Sequence, residues 1–402
     1  MTRRKRLVFV STRFLFPIDS GGKIRTTQIL RGMKGGQFEI VLAAPASDRA
    51  VEEYRRELER ICDRFERWPE PRRQKWARAA HLVSRLPITI RTDWDAEGAV
   101  LVQRLLNERP DVIVFDFLHA GVLAPKTVDV PSVLFTHNVE AEILSRHAEQ
   151  AGNPGLRWLW RNQHRKMRSF EREAMKRFDV VVAVSDRDAG IFRSDYGLDE
   201  AHVIPTGVDL EFYAYHSPDR DCDVTYCGSM DWMANQDAMN YFMDDVWPLI
   251  VKQKPEARMT VVGRAPPQAL VRRARSRNLN WTFSGFVDDV RPHMQGAAVS
   301  VIPLRVGGGT RLKVYEAMAM GSPVVSTSIG VEGLPITDGE HYLMADSAEA
   351  FASGVLALMR DGQRRERVSR AARALVEANF SYRVAASAFE EACDRAIHKV
   401  AS

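Results

Sequence analysis

The sequence predicts an α/β protein made of two successive domains, each built on a parallel β-sheet. Three observations support this fold class. Short apolar segments alternate with longer helical segments, the order typical of parallel sheets with crossover helices. The alternation restarts after residues 203–209, where a short strand breaks into a turn at Pro205 and Gly207. The chain has 402 residues, of which 45% are hydrophobic and 27% charged, an ordinary globular composition for roughly two to four domains.

In the first half, a strand at residues 7–11 leads through a loop at 17–22 into a helix over 24–33. Residues 51–110 are expected to be mostly helical, and apolar residues at helical spacing predict a helix over 156–178. The other short apolar segments predict strands at residues 39–43, 111–115, 132–135 and 180–184.

The second half repeats the pattern and ends in a helix over residues 382–400. Its strands are predicted at residues 224–227, 259–262, 281–284, 299–303 and 323–327. We therefore predict an N-terminal domain at residues 1–203, a C-terminal domain at 204–380 and a closing helix at 381–402. Because ligands of open α/β sheets bind outside the carboxyl ends of the strands, we expect functional residues directly after strands in both halves.

Several protein classes do not fit the composition. The longest candidate membrane span, residues 112–122, is interrupted by Asp116 and His119. The basic start is followed by only four apolar residues, 7–10, too few for a secretory signal. The four cysteines form no CxxC pair, so we expect reduced thiols in a cytoplasmic protein.

The segment richest in chemistry is V-G-G-G-T-R-L-K-V-Y-E-A-M-A-M-G-S-P-V-V at residues 306–325. Its glycines follow a strand and let backbone N–H groups approach a ligand, and the helix that begins near Arg311 adds a positive N-terminus. With Arg311 and Lys313, this arrangement suits a diphosphate, and Glu316 could accept hydrogen bonds from a ribose. The alternative is a plain loop in which the three charged residues form a solvated ion-pair network.

These residues resemble the donor-binding signature of the retaining glycosyltransferases of family 4, which have the GT-B fold. V-I-P-T-G-V-D at residues 203–209 resembles the interdomain segment of that family. The resemblance covers essentially the whole chain, because C-G-S-M at 227–230, V-G-R at 262–264 and S-G-F-V at 284–287 fall where the family has strand-end glycines. It implies two Rossmann-like, doubly wound domains that face each other across a cleft, with the C-terminal helix crossing back onto the N-terminal domain.

The sequence departs from the family pattern at two places. The family usually has a second glutamate eight positions before the first, and here that position is Gly308. The family also often has an Arg and a Lys after the first strand of its second domain, and residues 228–235 contain neither. We infer that Arg311 and Lys313 supply the phosphate charge and that the backbone of residues 308–310 replaces the missing carboxylate.

In the first half, F-P-I-D-S-G-G-K at residues 16–23 is a turn by composition alone, and the resemblance implies that its Gly21 and Gly22 face the donor. His137 directly follows a buried strand, and a lone histidine in that place is more often structural than catalytic. The resemblance implies that His137 contacts the sugar and helps to stabilise the transition state. Glu140 either caps the next helix or orients the acceptor or His137, and His119 is a second candidate.

The resemblance thus implies a metal-free site without a cofactor. The expected catalytic residues are His137, Arg311, Lys313 and Glu316. The expected donor contacts are Gly21, Gly22, Gly228, Gly263, Arg264, Phe286, Val287, Gly308, Gly309, Thr310 and Leu312.

Basic residues are concentrated in the first half. Residues 1–200 carry 35 Lys and Arg against 28 Asp and Glu, whereas residues 201–402 carry 22 against 24. The surplus lies mainly in segments 72–85 and 156–178, whose Trp and Leu residues would suit an anionic lipid surface. The alternative, which we favour for 156–178, is a helix packed on the sheet with a solvated charged face. Nucleic acid is not expected, because no binding motif accompanies the charge.

We predict a glycosyltransferase of polysaccharide biosynthesis that moves a sugar from a nucleotide diphosphate-sugar to a glycan or lipid-linked acceptor. It would act in the cytoplasm, with the inner face of the membrane as a candidate location. Two other functions remain open. A nucleotide-sugar 2-epimerase needs acid/base carboxylates near the sugar, which Gly308 disfavours, and the missing glutamate motivates a non-catalytic nucleotide-sugar-binding protein.

Overall fold

A computed structural model describes residues 3–70, 84–306 and 311–401. The described chain divides into two compact units. The N-terminal unit contains the residues up to 207 together with the C-terminal helix (Tyr382–Ala401). The C-terminal unit contains residues 208–306 and 311–381.

The N-terminal unit is built on a parallel sheet in the order β3-β2-β1-β4-β5-β6-β7. Strand β1 pairs with both β2 and β4, so the chain reverses its winding direction there. The strands are β1 (Lys5–Ser11), β2 (Phe38–Pro45), β3 (Arg64–Trp68), β4 (Val112–Asp116), β5 (Ser132–Phe135), β6 (Val180–Ala183) and β7 (His202–Val203).

Successive residues of a strand point to opposite faces of the sheet. Because the central strands are apolar on both faces, helices cover both. Leu7 and Phe9 lie in one core cluster with α1 and the C-terminal helix, whose Phe389 ring contacts Phe9 at 6.2 Å between centroids. Val8 and Val10 lie in a second cluster on the other face. The helices are α1 (Gly21–Met33), α2 (Asp48–Glu53), α3 (Arg55–Glu59), α4 (Ile88–Asp93), α5 (Ala96–Asn107), α6 (Phe117–Ala120), α7 (Glu140–Gln150), α8 (Pro154–Met175) and α9 (Asp186–Tyr196).

The C-terminal unit repeats the arrangement with a parallel sheet in the order β10-β9-β8-β11-β12-β13. Its strands are β8 (Arg220–Cys227), β9 (Arg258–Val262), β10 (Trp281–Gly285), β11 (Ala297–Ile302), β12 (Val324–Ser326) and β13 (Leu343–Met344). Its helices are α10 (Met233–Tyr241), α11 (Trp247–Val251), α12 (Gln268–Ser276), α13 (Arg291–Met294), α14 (Leu312–Ala319), α15 (Ala348–Arg360) and α16 (Gly362–Asn379), with a π-helical turn at Phe242–Val246 and a 3-10 turn at Ile329–Val331.

Side-chain caps explain where many of these helices begin. The Asn153 side chain accepts hydrogen bonds from the Gly155 and Leu156 N–H groups at the start of α8. Each such cap typically contributes about 1 kcal/mol, so polar residues before an apolar segment fix the helix start. Equivalent caps are Ser47, Asp95, Ser185, Ser347 and Asp361.

The predicted fold class is confirmed, since both sheets are parallel, helix-covered and Rossmann-like in strand order. Two details of the first half differ from the prediction. Within the segment 51–110, which was expected to be mostly helical, Arg64–Trp68 forms edge strand β3. The loop at 17–22 ends earlier than expected, because Gly21 and Gly22 already belong to the first turn of α1.

Two further observations concern the predicted protein class. The four cysteines are free thiols. Within the described part of the chain, no helix combines the length and the apolar character that crossing a membrane requires.

Candidate active site

The first cluster of predicted site residues surrounds His137, which follows β5 at the carboxyl edge of the N-terminal sheet. The imidazole is 3% exposed and stacks on the Phe117 ring at 3.6 Å between centroids. His137 Nε2 lies 2.8 Å from Asp116 Oδ1, at the end of the neighbouring strand β4. His137 Nδ1 lies 3.3 Å from an Arg25 guanidinium nitrogen.

Burial keeps the imidazole ring of His137 neutral. Burial lowers the pKa of His137, although the Asp116 carboxylate opposes this shift. Burial also lowers the pKa of Arg25 to about 9, so the guanidinium stays charged at neutral pH. The geometry therefore fits a neutral imidazole that donates from Nε2 to Asp116 and accepts at Nδ1 from Arg25. A contact between a sugar hydroxyl and a ring nitrogen would require one of these two bonds to open.

Gly22 is needed for the position of the Phe117 ring. A Cβ atom on Gly22 would lie 2.2 Å from Phe117 Cζ, and Phe117 has a backbone φ of +65°. At Gly21, by contrast, a Cβ atom would meet no other atom within 4 Å. The missing side chain at Gly22 thus leaves room for Phe117 to stack on His137, and contact of either glycine with a donor stays a prediction.

His119 and Glu140 belong to a second buried group of the same unit. His119 Nδ1 lies 2.6 Å from Asp93 Oδ2, and His119 Nε2 lies 3.9 Å from Glu140 Oε2. Burial disfavours the charged imidazole, but the hydrogen bond to Asp93 and the nearby Glu140 carboxylate raise the pKa of His119 to about 9. His119 is therefore a cation at neutral pH between two carboxylates.

Glu140 does not cap α7 with its side chain. Its backbone N–H donates instead to Glu171 Oε1 at 2.8 Å, and the Ala141 N–H donates to Glu171 Oε2 at 3.1 Å. Glu171, which is fully buried in α8, thus caps the start of α7. The capping role considered for Glu140 is wrong, and an orienting role stays a prediction.

The second cluster surrounds Lys313 in the first turn of α14. Lys313 Nζ donates to the Tyr226 hydroxyl at 3.1 Å and to Asn235 Oδ1 at 3.0 Å. Burial lowers the pKa of Lys313 to about 8. A Cβ atom on Gly228 would lie 2.9 Å from Lys313 Nζ, so the glycine after β8 leaves room for the ammonium group.

Glu316 and Arg311 lie beside Lys313 and are buried. Glu316 Oε1 accepts a hydrogen bond from the Tyr213 hydroxyl at 2.9 Å. Burial raises the pKa of Glu316, while the Tyr213 hydrogen bond and the Lys313 charge oppose the shift. Arg311 precedes α14 with φ +50°, and its guanidinium lies 3.4 Å from Glu332 Oε2. The alternative of a solvated ion-pair network is therefore wrong for these three side chains.

Arg264, from the loop after β9, brings a positive charge to the end of β8. Its Nε donates to Ser229 Oγ at 2.9 Å and to Asp231 Oδ2 at 3.1 Å. Gly263 makes this loop possible, because its φ is +155° and a Cβ atom there would lie 2.0 Å from the Gly228 carbonyl oxygen. The loop after β8 has no Arg or Lys of its own, but a neighbouring loop supplies one.

The remaining predicted donor contacts also follow strands or begin a helix. Phe286 and Val287 come directly after β10, and the Phe286 ring is 69% exposed. Leu312 is the first residue of α14 and is buried. Gly308, Gly309 and Thr310 lie outside the described residues, as does most of the basic segment 72–85.

Five residues that hold these clusters together were not predicted. The sequence pattern could have identified Arg25 as buried, since it lies four residues before buried Ile29 on the apolar face of α1. It could also have identified Asp116, a charged residue that ends an apolar strand. It gives no indication of the partners of Lys313 and Glu316, namely Tyr226, Asn235 and Tyr213, because only the folded chain brings them together.

Two family models match the chain. The model for glycosyltransferase family 4 matches residues 20–212, and the model for glycosyl transferases group 1 matches residues 221–361.

Two proteins of similar sequence cover nearly all or about half of the chain. The chain is 21% identical over 398 residues to an uncharacterized 44.6 kDa protein in the cps region of Klebsiella pneumoniae, covering 96% of this chain and 99% of that protein. It is 28% identical over 219 residues to a phosphatidyl-myo-inositol mannosyltransferase of Mycobacterium tuberculosis, covering 51% of this chain and 57% of that enzyme.

Solved structures share the fold along the whole chain. The Anabaena protein HepE in complex with UDP and glucose has a TM-score of 0.69 at 14% identity, covering 96% of this chain and 99% of that one. Sucrose-phosphate synthase from Thermosynechococcus elongatus has a TM-score of 0.71 at 15% identity, covering 96% and 98%.

Proposed function

We propose that this chain, a member of glycosyltransferase family 4, uses a nucleotide diphosphate-sugar as donor. The acceptor would be a glycan or a lipid-linked glycan, and the anomeric configuration would be retained. A structure of similar fold holds UDP and glucose, and other relatives are named for mannosyl transfer and glycogen synthesis. These likenesses support a sugar nucleotide as donor.

The observation that carries the proposal is the environment of Lys313. Both of its hydrogen-bond partners, the Tyr226 hydroxyl and the Asn235 amide oxygen, are neutral, and burial holds its pKa near 8. An ammonium group with neutral partners in a low-dielectric site gains more from an incoming anion than an exposed one does. A diphosphate at the start of α14 would provide that anion and would also meet the helix N-terminus.

The other buried side chains of the C-terminal unit would hold the rest of the donor. Glu316 lies one turn after Lys313 on α14, where a carboxylate can accept hydrogen bonds from the two ribose hydroxyls. Arg311 and Arg264 add charge for the diphosphate, and the exposed Phe286 ring offers a surface on which a base can stack. Backbone N–H groups of residues 308–310 and the glycines at 228 and 263 complete the proposed donor site.

Catalysis in this proposal is electrostatic. Breaking the sugar–phosphate bond leaves positive charge on the anomeric carbon and negative charge on the departing diphosphate. Lys313 and Arg311 would stabilise the leaving group from fixed positions, which requires no reorganisation during the reaction. The acceptor hydroxyl would attack from the face that the diphosphate leaves and would pass its proton to the departing phosphate oxygen. The configuration is then retained, and no step needs a metal ion.

His137 would contribute from the N-terminal unit. Its Nδ1 bond to Arg25, at 3.3 Å, is the longer of its two bonds and the easier one to exchange for a sugar hydroxyl. The Asp116 bond would then keep the ring oriented, as second partners of catalytic histidines do. The protein would act in the cytoplasm and, for a lipid-linked acceptor, at the inner face of the membrane.

A donor and acceptor panel tests the proposal. The protein is incubated with UDP-, GDP- and ADP-sugars together with glycan and lipid-linked acceptors, and release of the nucleoside diphosphate is measured. Proton NMR of the product gives its anomeric configuration. We expect release that depends on acceptor and a product of the donor's configuration. Tight nucleotide binding without turnover of any donor would contradict the proposal, and an inverted product would contradict retention.

A further inference from the structure

The surface of helix α8 carries a row of arginines that the proposed chemistry does not use. The arginine row consists of Arg157, Arg161, Arg165, Arg168 and Arg172, and all five side chains are exposed. At 100° per residue they fall within about 80° of the helix circumference, with successive side chains about 5 to 6 Å apart along the axis. They therefore form a continuous strip of positive charge.

The opposite side of α8 packs against the protein. Met167, Phe170 and Ala174 are buried in the core cluster of the N-terminal unit. The expectation of a packed helix with a charged outer face is therefore met for described residues 154–175. The packing leaves the arginine row unused and facing outward.

In the part of the chain that the structure describes, the acidic contacts of the row lie at its C-terminal end. Asp195 Oδ2 of α9 lies 3.8 Å from Arg168, and the Asp195 carbonyl accepts from Arg172 at 3.4 Å. On α8 itself, Glu171 is buried, and Glu173 lies about 120° around the helix from the centre of the row. Among the described residues, no carboxylate lies within 4 Å of the charged nitrogens of Arg157, Arg161 or Arg165.

The N-terminal end of the row lies on the helical hairpin formed by α7 and α8. Glu171 caps the first turn of α7, which follows the carboxyl end of β5. The turn of α8 that contains Glu171 therefore lies near the carboxyl edge of the N-terminal sheet. Helix α7 leaves that edge and α8 returns to it, with His147 of α7 stacked on Trp160 of α8 at 5.1 Å. The 17 positions from Pro154 to Glu171 place the start of α8 about 25 Å along the helix from the residue that caps α7.

Two large apolar side chains are exposed in the first turn of α8, where the Arg157 guanidinium donates to the Ala151 carbonyl. Trp158 is 64% exposed and Leu156 is 51% exposed. Trp158 lies about 20° around the helix from Arg165, so its ring borders the arginine row. A Trp next to a strip of basic residues is the combination that favours the boundary between lipid headgroups and acyl chains.

We propose that the hairpin of α7 and α8 docks on an anionic lipid bilayer through Arg157, Arg161, Arg165 and Trp158. The arginines meet acidic headgroups and the Trp158 ring enters the interface. Docking at this place presents the carboxyl edge of the N-terminal sheet, with His137, to lipid-borne molecules. The link between docking and a lipid-linked acceptor rests on the proposed function. Docking itself needs neither donor nor acceptor.

Vesicle sedimentation of the full chain tests the docking. The probe is a vesicle of phosphatidylglycerol and phosphatidylcholine, compared with phosphatidylcholine alone, at low and high salt. Each arginine at such a surface changes binding by about fivefold, so the triple variant Arg157→Gln/Arg161→Gln/Arg165→Gln should bind about a hundredfold more weakly. The control Arg272→Gln/Arg275→Gln/Arg367→Gln removes the same charge from exposed positions of the C-terminal unit and should lose less than about threefold.

Trp158→Ala changes no charge and should weaken binding to anionic vesicles by about tenfold, as expected for loss of a partly inserted ring. Arg161→Gln alone should lose about fivefold, which keeps the test decisive if the triple variant does not fold. Four results would overturn the proposal: no binding by the wild type, equal losses in the row and control variants, no effect of Trp158→Ala, or binding to a soluble anionic polysaccharide without binding to vesicles. Because sedimentation is measured without nucleotide sugar, lack of turnover in the panel assay would leave its result intact.

Discussion

Nucleotide binding should weaken sharply between pH 7 and pH 9, because the ammonium group of Lys313 loses its proton in that range. Burial lowers the pKa of Lys313 to about 8 in the free protein. At pH 7 the group is about nine-tenths charged, and at pH 9 about one-tenth. If the diphosphate binds the ammonium form, the apparent Kd scales with the inverse of that fraction and rises about tenfold over the two pH units.

The assay is isothermal titration calorimetry with UDP as the probe. At pH 8, where Lys313 is about half charged, binding should take up about half a proton, which buffers of different ionisation enthalpy reveal. Lys313→Met removes a charge-assisted hydrogen bond, so Kd at pH 7 should rise about ten- to hundredfold, and its dependence on pH should disappear. Lys252→Met, which removes an exposed charge from the same unit, should behave as the wild type does.

The reasoning would be refuted by a wild-type Kd that is equal at pH 7 and pH 9. It would also be refuted by a Lys313→Met variant that keeps the wild-type slope, because another group would then be responsible for the proton uptake. Thermal unfolding of each variant in the absence of UDP separates loss of binding from loss of folding.

Four further outcomes are expected. Glu316→Gln should weaken UDP binding about tenfold or more, because a charged acceptor for the ribose is lost while the Tyr213 hydroxyl can still donate to the amide oxygen; an unchanged Kd would remove Glu316 from the donor site. The pKa of His119, raised to about 9, contributes up to about 3 kcal/mol of stability that is fully present below pH 6.5 and is lost as the pH rises through 9, so urea unfolding of His119→Gln should lack this slope. Gly22→Ala should destabilise the protein by about 1–3 kcal/mol through the clash with Phe117, and Phe117→Leu should restore part of the loss in thermal unfolding; additive losses would contradict the contact. Turnover should be the same in EDTA as in Mg²⁺, since the proposed mechanism uses side-chain cations alone, and a loss in EDTA that Mg²⁺ restores would contradict it.

Regular elements with a clear apolar pattern were predictable from the sequence. The central strands of both sheets are continuous apolar segments ended by polar or turn residues, and β5 at Ser132–Phe135 matches its prediction residue for residue. Strand β3 was missed because R-F-E-R-W has charged residues at three of five positions and lies at the edge of the sheet, where only one neighbour constrains it. Strand β13 has two residues, too few for any periodicity.

The candidate site was predictable as far as strand ends and glycine loops define it. The sequence alone indicates residues 306–325 and His137, because a charged or polar residue directly after an apolar strand can be recognised without the structure. It does not reveal the partner of each group. Arg25 and His137 are separated by 112 positions, and Lys313 and Tyr226 by 87, so only the folding of each unit brings them together.

Release of the nucleoside diphosphate from the donor that the panel selects tests the central claim most directly. Its rate is compared among the wild type, Arg311→Ala and Glu316→Ala, with Lys252→Met as the control. We predict losses of about a hundredfold or more in the first two variants, since each removes a charged group from the proposed donor site, and a wild-type rate in the control. Normal rates in both Arg311→Ala and Glu316→Ala would contradict the assignment of this site.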